Sequence, residues 1–460
     1  MFNKFITWIR GVINKMFNRE TIGSKLKVDV IVSKEMSESV ELWVKLFENK
    51  APWLNNNVKS LNLPSAIAGE IARMVTLELK SEITGSGRAD FLNEVYQLFL
   101  ENLRVNTEYA CAKGGIVFKP YIKGENELAI EAIQANKFYP TEFDSRGKII
   151  GGIFVAQKII NNAYYTRLEY QRFIGDEYVI DNLAFRSTEK DILGNAVSLA
   201  SVDEWAEIEP RVVIQDLDRP LFSYFKIPLA NQIDADSPLG VSVYSRAVDL
   251  IEEADKQYSR ILWEFEGSEL AIDADITALQ TAKNNQKIGL PKLKDRLFRA
   301  TGQSKDGSFY QVFSPQIRDT SLFNGLNKIL QKIEFVCGLA YGTISDPQAI
   351  EKTATEIKQG KQRSYANVSD IQKALEDALE DLIYTLNAFC SLYELAPAGE
   401  YETSYKWDDS IIVDAEAERI RDAQDVAMGV MSKAEYRAKW YGESIEEATK
   451  KLPQQADVIE

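Results

Sequence analysis

The chain has 460 residues, 45% of them hydrophobic and 27% charged, with a formal net charge of −15 and no histidine. The composition is globular, and the length calls for more than one domain. Without histidine, Ser-His-Asp and Cys-His chemistry is excluded within one chain, and the acidity argues against a broad surface that grips nucleic acid, because phosphate neutralisation dominates such binding.

Cys111, Cys337 and Cys390 are far apart and odd in number. They fit neither a metal pattern nor a disulfide framework, and read as buried free thiols in a reducing cytosol. No stretch approaches the roughly 20 apolar residues of a membrane helix. Residues 1–19 alternate like an amphipathic helix, with Phe2, Phe5, Ile6, Ile9, Ile13, Met16 and Phe17 on one broad face and Lys4, Arg10, Lys15 and Arg19 as its charges. It is read as docking on its own protein or a neighbour, with membrane-surface binding as the alternative.

Helices are predicted over Ser39–Glu48, over Leu63–Leu79 with Pro64 in the first turn, and over Ala89–Tyr109 after the breakers Gly85 and Gly87. From about Gly115 the period switches to two. IVFKPYI, LAIEAI, IIGGIFVAQKII, YYTRLEYQRF and EYVIDNLAF read as strands of an antiparallel meander, and PLFSYFKIP (220–228) as an extended stretch. After the SPLG turn (237–240), Tyr244, Val248, Ile251, Tyr258, Leu262 and Phe265 form the seam of a long helix. Residues 267–315 carry short strands such as ELAID and FYQVF around a lysine-rich middle. A second seam helix follows, with Leu322, Leu326, Ile329, Ile333 and Val336. GLAYGTISDPQAIEK (338–352) is a turn-rich loop. A helix of some 40 residues runs to Tyr393, with Val368, Ile371, Leu375, Leu379, Leu382, Leu386 and Phe389 on its buried face and Gly360 as a kink site. APAG stops it, YETSYKW (401–407) alternates like a strand, and the tail from Asp414 is helical. The fold class is α+β.

Motifs for chemistry are sparse. GSGRAD (85–90) lacks the third glycine of a dinucleotide fingerprint and reads as a helix-entry turn after no strand. Ser24-Lys25-Leu26-Lys27 fits a four-residue pattern that recurs by chance. Asp408, Asp409 and Asp414, and likewise Asp234 and Asp236, could offer oxygens to a divalent metal, but neither set has calcium-loop spacing and both read as solvated turns. No cofactor, no metal and no enzyme activity are expected. The sharpest charge contrast lies in the insert, where Lys283, Lys287, Lys292, Lys294, Arg296, Arg299 and Lys305 surround a single acid, Asp295. Such a basic tip suits DNA phosphate or an acidic partner, with a solvated face as the bland alternative.

SLNLPSAIAGEIARMVTLELKSEITGS (60–86), EYACAKGGIVFKPY (108–121), SPLGVSVYSRAVDLIEEADKQYSRILWEFE (237–266), FSPQIRD (313–319), GLAYGTISD (338–346) and KTATEIKQGKQRSYANV (352–368) together resemble portal proteins of tailed bacteriophages, of the siphophage and prophage type of Gram-positive bacteria. The resemblance covers nearly the whole length, less clearly after Asp414. It implies a portal fold with a helical and β-rich wing (1–240), a stem helix (241–266), a clip (267–317), a second stem helix (318–338), a tunnel loop (339–352), a return to the wing (353–412) and a helical crown (413–460).

The resemblance further implies a homo-oligomeric ring, a dodecamer, at a capsid vertex of the virion, assembled in the bacterial cytoplasm. Double-stranded DNA would pass through without being held. Terminase and then a head-tail adaptor would dock on the clip, and major capsid and scaffolding proteins would be further partners; no membrane is involved. Tyr341, Gly342, Thr343, Ser345, Asp346, Gln348 and Lys352 would face DNA, with Tyr341 packing at the loop base. Asp249, Glu252, Glu253, Asp255, Glu264 and Glu266 would keep the channel wall from binding phosphate or pair between subunits. Two other classes stay open: an oligomeric phage scaffold that threads no DNA, and a carboxylate-dependent nuclease built on the aspartates near 408.

Overall fold

The computed structural model describes residues 19–123, 127–190, 192–275, 298–301, 310–346, 354–407 and 415–452. The amphipathic pattern of 1–19 lies outside them except for Arg19. The chain divides into two units, 1–77 with 82–403 and 78–81 with 404–460.

The larger unit opens with helices α1 (Arg19–Leu26), α2 (Lys34–Phe47) and α3 (Leu63–Thr76). Ser33 caps α2 by accepting from the Met36 amide at 3.2 Å. Met36, Val40, Trp43 and Leu46 then recur at helical spacing and are buried. The helix predicted to Leu79 ends earlier, at Thr76, and β1 (Leu79–Gly85) follows, pairing with a strand near the C-terminus. The helix expected over 89–109 is two: α4 (Gly87–Leu100) and α5 (Leu103–Lys113).

GSGRAD therefore does follow a strand, and its arginine has a structural task. Arg88 is buried. Its guanidinium donates to the carbonyls of Pro397 and Ala396 at 2.8 and 2.7 Å, to Asn387 Oδ1 at 3.1 Å and to Ser391 Oγ at 3.1 Å. One planar fork thus satisfies polar groups at the end of the long helix and in the APAG exit.

The β region is two sheets rather than one meander. β2 (Gly115–Lys123) and β3 (Glu127–Gln134) form a three-stranded sheet with β10 (Ser223–Lys226), in order β10-β2-β3. β4 (Phe138–Phe143), β5 (Ile149–Ile160), β6 (Ala163–Ile174), β7 (Glu177–Ser187) and β8 (Asn195–Val197) form the larger sheet, with β9 (Arg211–Ile214) also on β7. A short backbone contact ties α5 and β2 to the SPLG turn. Gly114 has φ +89°, and a Cβ there would lie 2.4 Å from the Gly240 carbonyl oxygen.

Two long helices, α6 (Val248–Gly267) and α7 (Asp319–Cys337), flank a small sheet of β11 (Ala271–Asp275), β12 (Phe298–Thr301) and β13 (Tyr310–Phe313). In it β11 pairs parallel with β12 and antiparallel with β13. Tyr244 lies before α6 and is buried against α2, where its hydroxyl donates to the Trp43 carbonyl at 3.0 Å. Helix α8 (Ala354–Leu392) runs without a break through Gly360. Val368, Ile371, Leu375, Leu379, Leu382 and Leu386 are buried along it, and Phe389 is half-buried. Cys111, Cys337 and Cys390 are free and buried, and burial pushes the Cys337 thiol up to about 12.

The smaller unit comprises 78–81, the later part of β14 (Tyr401–Trp407), and helices α9 (Ala415–Ala427), α10 (Lys433–Tyr441) and α11 (Ile445–Lys451). A capping box between Ser432 and Glu435 starts α10. Trp440 Nε1 donates to Asp422 at 2.9 Å, joining α10 to α9.

Candidate functional site

Helices α6 and α7 form an antiparallel hairpin. At one end Arg318 grips Glu264 through two hydrogen bonds of 3.0 and 2.7 Å. These bonds hold the Glu264 carboxyl below its ordinary range. Further along, Gln257 Nε2 donates to the Leu322 carbonyl at 3.3 Å, and the rings of Phe265 and Phe323 lie 6.2 Å apart.

The candidate wall acids therefore divide. Glu264 is committed to Arg318. Asp255 is buried, accepting from Trp53 Nε1 and the Leu61 amide at 2.8 Å each, and burial raises its carboxyl above the usual value. It pins the segment before α3 to α6 instead of facing outward. Glu252 and Glu253 both reach Lys256, at 2.8 and 2.9 Å. Asp249 and Glu266 are exposed.

The loop after α7 is built around one carboxylate. Gly338 takes φ +71° and ends the helix. Glu334, one turn back on α7 and fully buried, accepts from the amides of Gly342, Ile344 and Ser345 at 3.0, 2.7 and 2.9 Å and from Ser345 Oγ at 2.8 Å. Successive N–H groups of a turn make a concavity for an anion, and here the anion is the protein's own. Asn327 adds a second tie, its side chain accepting from the Asp346 amide at 2.8 Å and donating to the Asp346 carbonyl at 3.3 Å. The stretch 341–346 is thus fastened to α7 along its length.

This fixes where the loop side chains stand. Ser345 is buried and turned to Glu334, whereas Tyr341, expected at the loop base, is 40% exposed. Asp346 is exposed; Gly342 and Thr343 are half-buried, and the Thr343 hydroxyl donates to the Ala340 carbonyl at 2.6 Å. Gln348 and Lys352 lie outside the described residues. So do Lys283, Lys287, Lys292, Lys294, Arg296 and Lys305. Arg299 lies on β12, in register with Asp273 of β11.

Glu334 was not singled out from sequence. A glutamate followed by a Gly- and Ser-containing loop eight residues later is the only signal, and it is weak.

Asp234 sits in a turn, its Oδ1 accepting from the Asp236 amide at 3.2 Å. Asp408, Asp409 and Asp414 lie outside the described residues. Among the described residues no group of three or more acids or cysteines could hold a metal ion, and no helix is long and apolar enough to cross a membrane.

The family model for "Phage portal protein, SPP1 Gp6-like" matches residues 31–454. No curated protein matches the chain. Among solved structures, a chain from the neck of a native GTA particle, computed with C12 symmetry, is similar. It has 11% identity and a TM-score of 0.41, over 89% of this chain and 94% of that one.

Proposed function

This chain belongs to the SPP1 Gp6-like family of phage portal proteins, and from that membership we propose that it is the ring-forming subunit of a capsid-vertex channel for double-stranded DNA. It is a structural component of the virion, with no catalytic step of its own. The family match over residues 31–454 carries this reading, and the hairpin, its insert and the loop after α7 give it parts. Stem helices are α6 and α7, the clip is the insert between them, and the wing is the two-sheet region with α8.

In this reading the clip, with Lys283, Lys287, Lys292, Lys294, Arg296, Arg299 and Lys305, docks terminase and then a head-tail adaptor. Capsid and scaffolding proteins surround the wing. The loop 339–352 meets passing DNA, presenting Tyr341 and Asp346 from its described part, while Ser345 serves the turn. A short, anionic or neutral surface touches a duplex without retaining it, because phosphates are repelled or unattracted.

Electron microscopy of the purified full-length protein tests the proposal. Rings with an axial hole, and rotational symmetry in their class averages, are expected. Particles that are monomers or solid clusters at every concentration and salt level would exclude it in favour of a scaffold that threads nothing.

A further inference from the structure

The charges left on the outside of the hairpin α6–α7 are sorted by face. Its two pins, Glu264 to Arg318 and Gln257 to Leu322, set the antiparallel register, so one step forward on α6 matches one step back on α7. Counted from the first pin, Lys328 and Lys332 stand level with Ala254 and Leu250. Helical spacing of about 100° per residue then divides each helix into a face toward its partner and a face away.

On α6, Gln257, Ile261 and Glu264 turn toward α7, and Ile261 and Glu264 are buried. Glu252, Lys256 and Trp263 turn away from it, Asp249 stands about a quarter turn to the same side and Glu253 lies closer to α7; the position directly opposite, Asp255, is covered by Trp53 and Leu61. On α7, Leu326 and Ile333 are buried toward α6; Lys328, Lys332 and Phe335 fall opposite and are exposed.

The free side of α6 holds Asp249 and Glu252 beside Lys256, which bonds Glu252 and also Glu253. The outward face of α7 holds two lysines and no acid, since Glu334 is turned inward to the loop. Among the described residues Lys328 reaches the neutral Gln331, at 3.2 Å, and Lys332 makes no ion pair. Each outward face also exposes a large aromatic, Trp263 at 67% and Phe335 at 53%, the latter beneath the Arg363 guanidinium.

One hairpin thus carries an acidic outward face and a basic one at the same level. Two copies meeting through the same face would set acid on acid or lysine on lysine. Copies meeting head to tail set acid on base, and a head-to-tail contact that closes generates a ring. We infer that the outward face of α6 in one subunit packs on the outward face of α7 in the next, with Asp249 and Glu252 facing Lys328 and Lys332 of the second copy. This rests on the ring reading above and assigns these acids to the subunit contact instead of the channel wall.

Charge exchange in the full-length protein tests it, with mass measured by light scattering on a sizing column across a concentration series. Lys328→Glu with Lys332→Glu should raise the concentration for half-assembly by on the order of tenfold or more. Asp249→Lys with Glu252→Lys should do the same. Combining all four substitutions restores opposite charges at every contact and should return assembly toward wild type, which a damaged fold could not do. Reversed variants that assemble at the wild-type concentration, or a fourfold variant no better than either pair, overturn the contact while leaving wild-type rings in place. A wild-type chain that stays monomeric throughout overturns the ring reading along with it.

Discussion

Glu169 joins the two sheets through its charge. It lies on β6, and Lys119 of β2 reaches it at 2.7 Å, with Arg167 at 3.1 Å and Gln171 Nε2 at 2.5 Å. Burial works to raise this carboxyl, but the charges of Lys119 and Arg167 and hydrogen bonds from Lys119 and Gln171 outweigh it and take it from 4.5 to about 2. The folded state therefore favours the charged form. The stabilisation is complete above pH 4.5 and is lost as pH falls from there toward 2. Glu169→Gln leaves Lys119, itself buried, without its closest counter-charge, so a loss of about 3–5 kcal/mol near neutral pH is expected. Denaturant unfolding along a pH series checks both points: the variant should be less stable at pH 7 and show a shallower acid limb. Superimposable acid limbs would mean that another carboxylate governs it.

At the scale of elements, the loop 341–346 behaves as an extension of α7. Its amides are held by Glu334, and losing a bond to a charged acceptor leaves buried donors unsatisfied. Glu334→Gln places an amide where donors converge. Exchange of the Gly342, Ile344 and Ser345 amides should then quicken roughly tenfold or more, while the middle of α7 stays protected. Hydrogen–deuterium exchange resolves this, and unchanged protection in the loop would show that Glu334 is not its anchor.

Little in the local sequence announces this arrangement, since the partners are mostly backbone N–H groups and any small residues could supply them. The strands from Ile149 to Ser187 were readable because alternation and turn residues are local signals. β1 was not. Leu77 and Leu79 continue the apolar rhythm of α3, and the strand partner, Tyr401–Trp407, is more than 300 residues away. β12 was missed too, because FRAT is short and carries an arginine. The lysines of the insert were easy to see as a charge contrast, but contrast alone names no partner.

For the whole molecule, the channel reading makes a directional claim about charge. Asp346 is the exposed acid at the end of the fastened stretch, and its backbone amide and carbonyl are tied to Asn327. Asp346→Lys should leave rings intact, strengthen DNA retention in a salt-sensitive way and slow packaging. Capsids that fill at the wild-type rate with this variant would remove the loop from the DNA path. The buried thiols have a practical corollary for such work. With Cys111, Cys337 and Cys390 all shielded, a cysteine placed at a site such as Val430, 78% exposed, becomes the fast-reacting sulfur of the chain. One fluorophore per polypeptide then turns subunit number into a count of photobleaching steps, read one particle at a time and without any averaging over assumed symmetry.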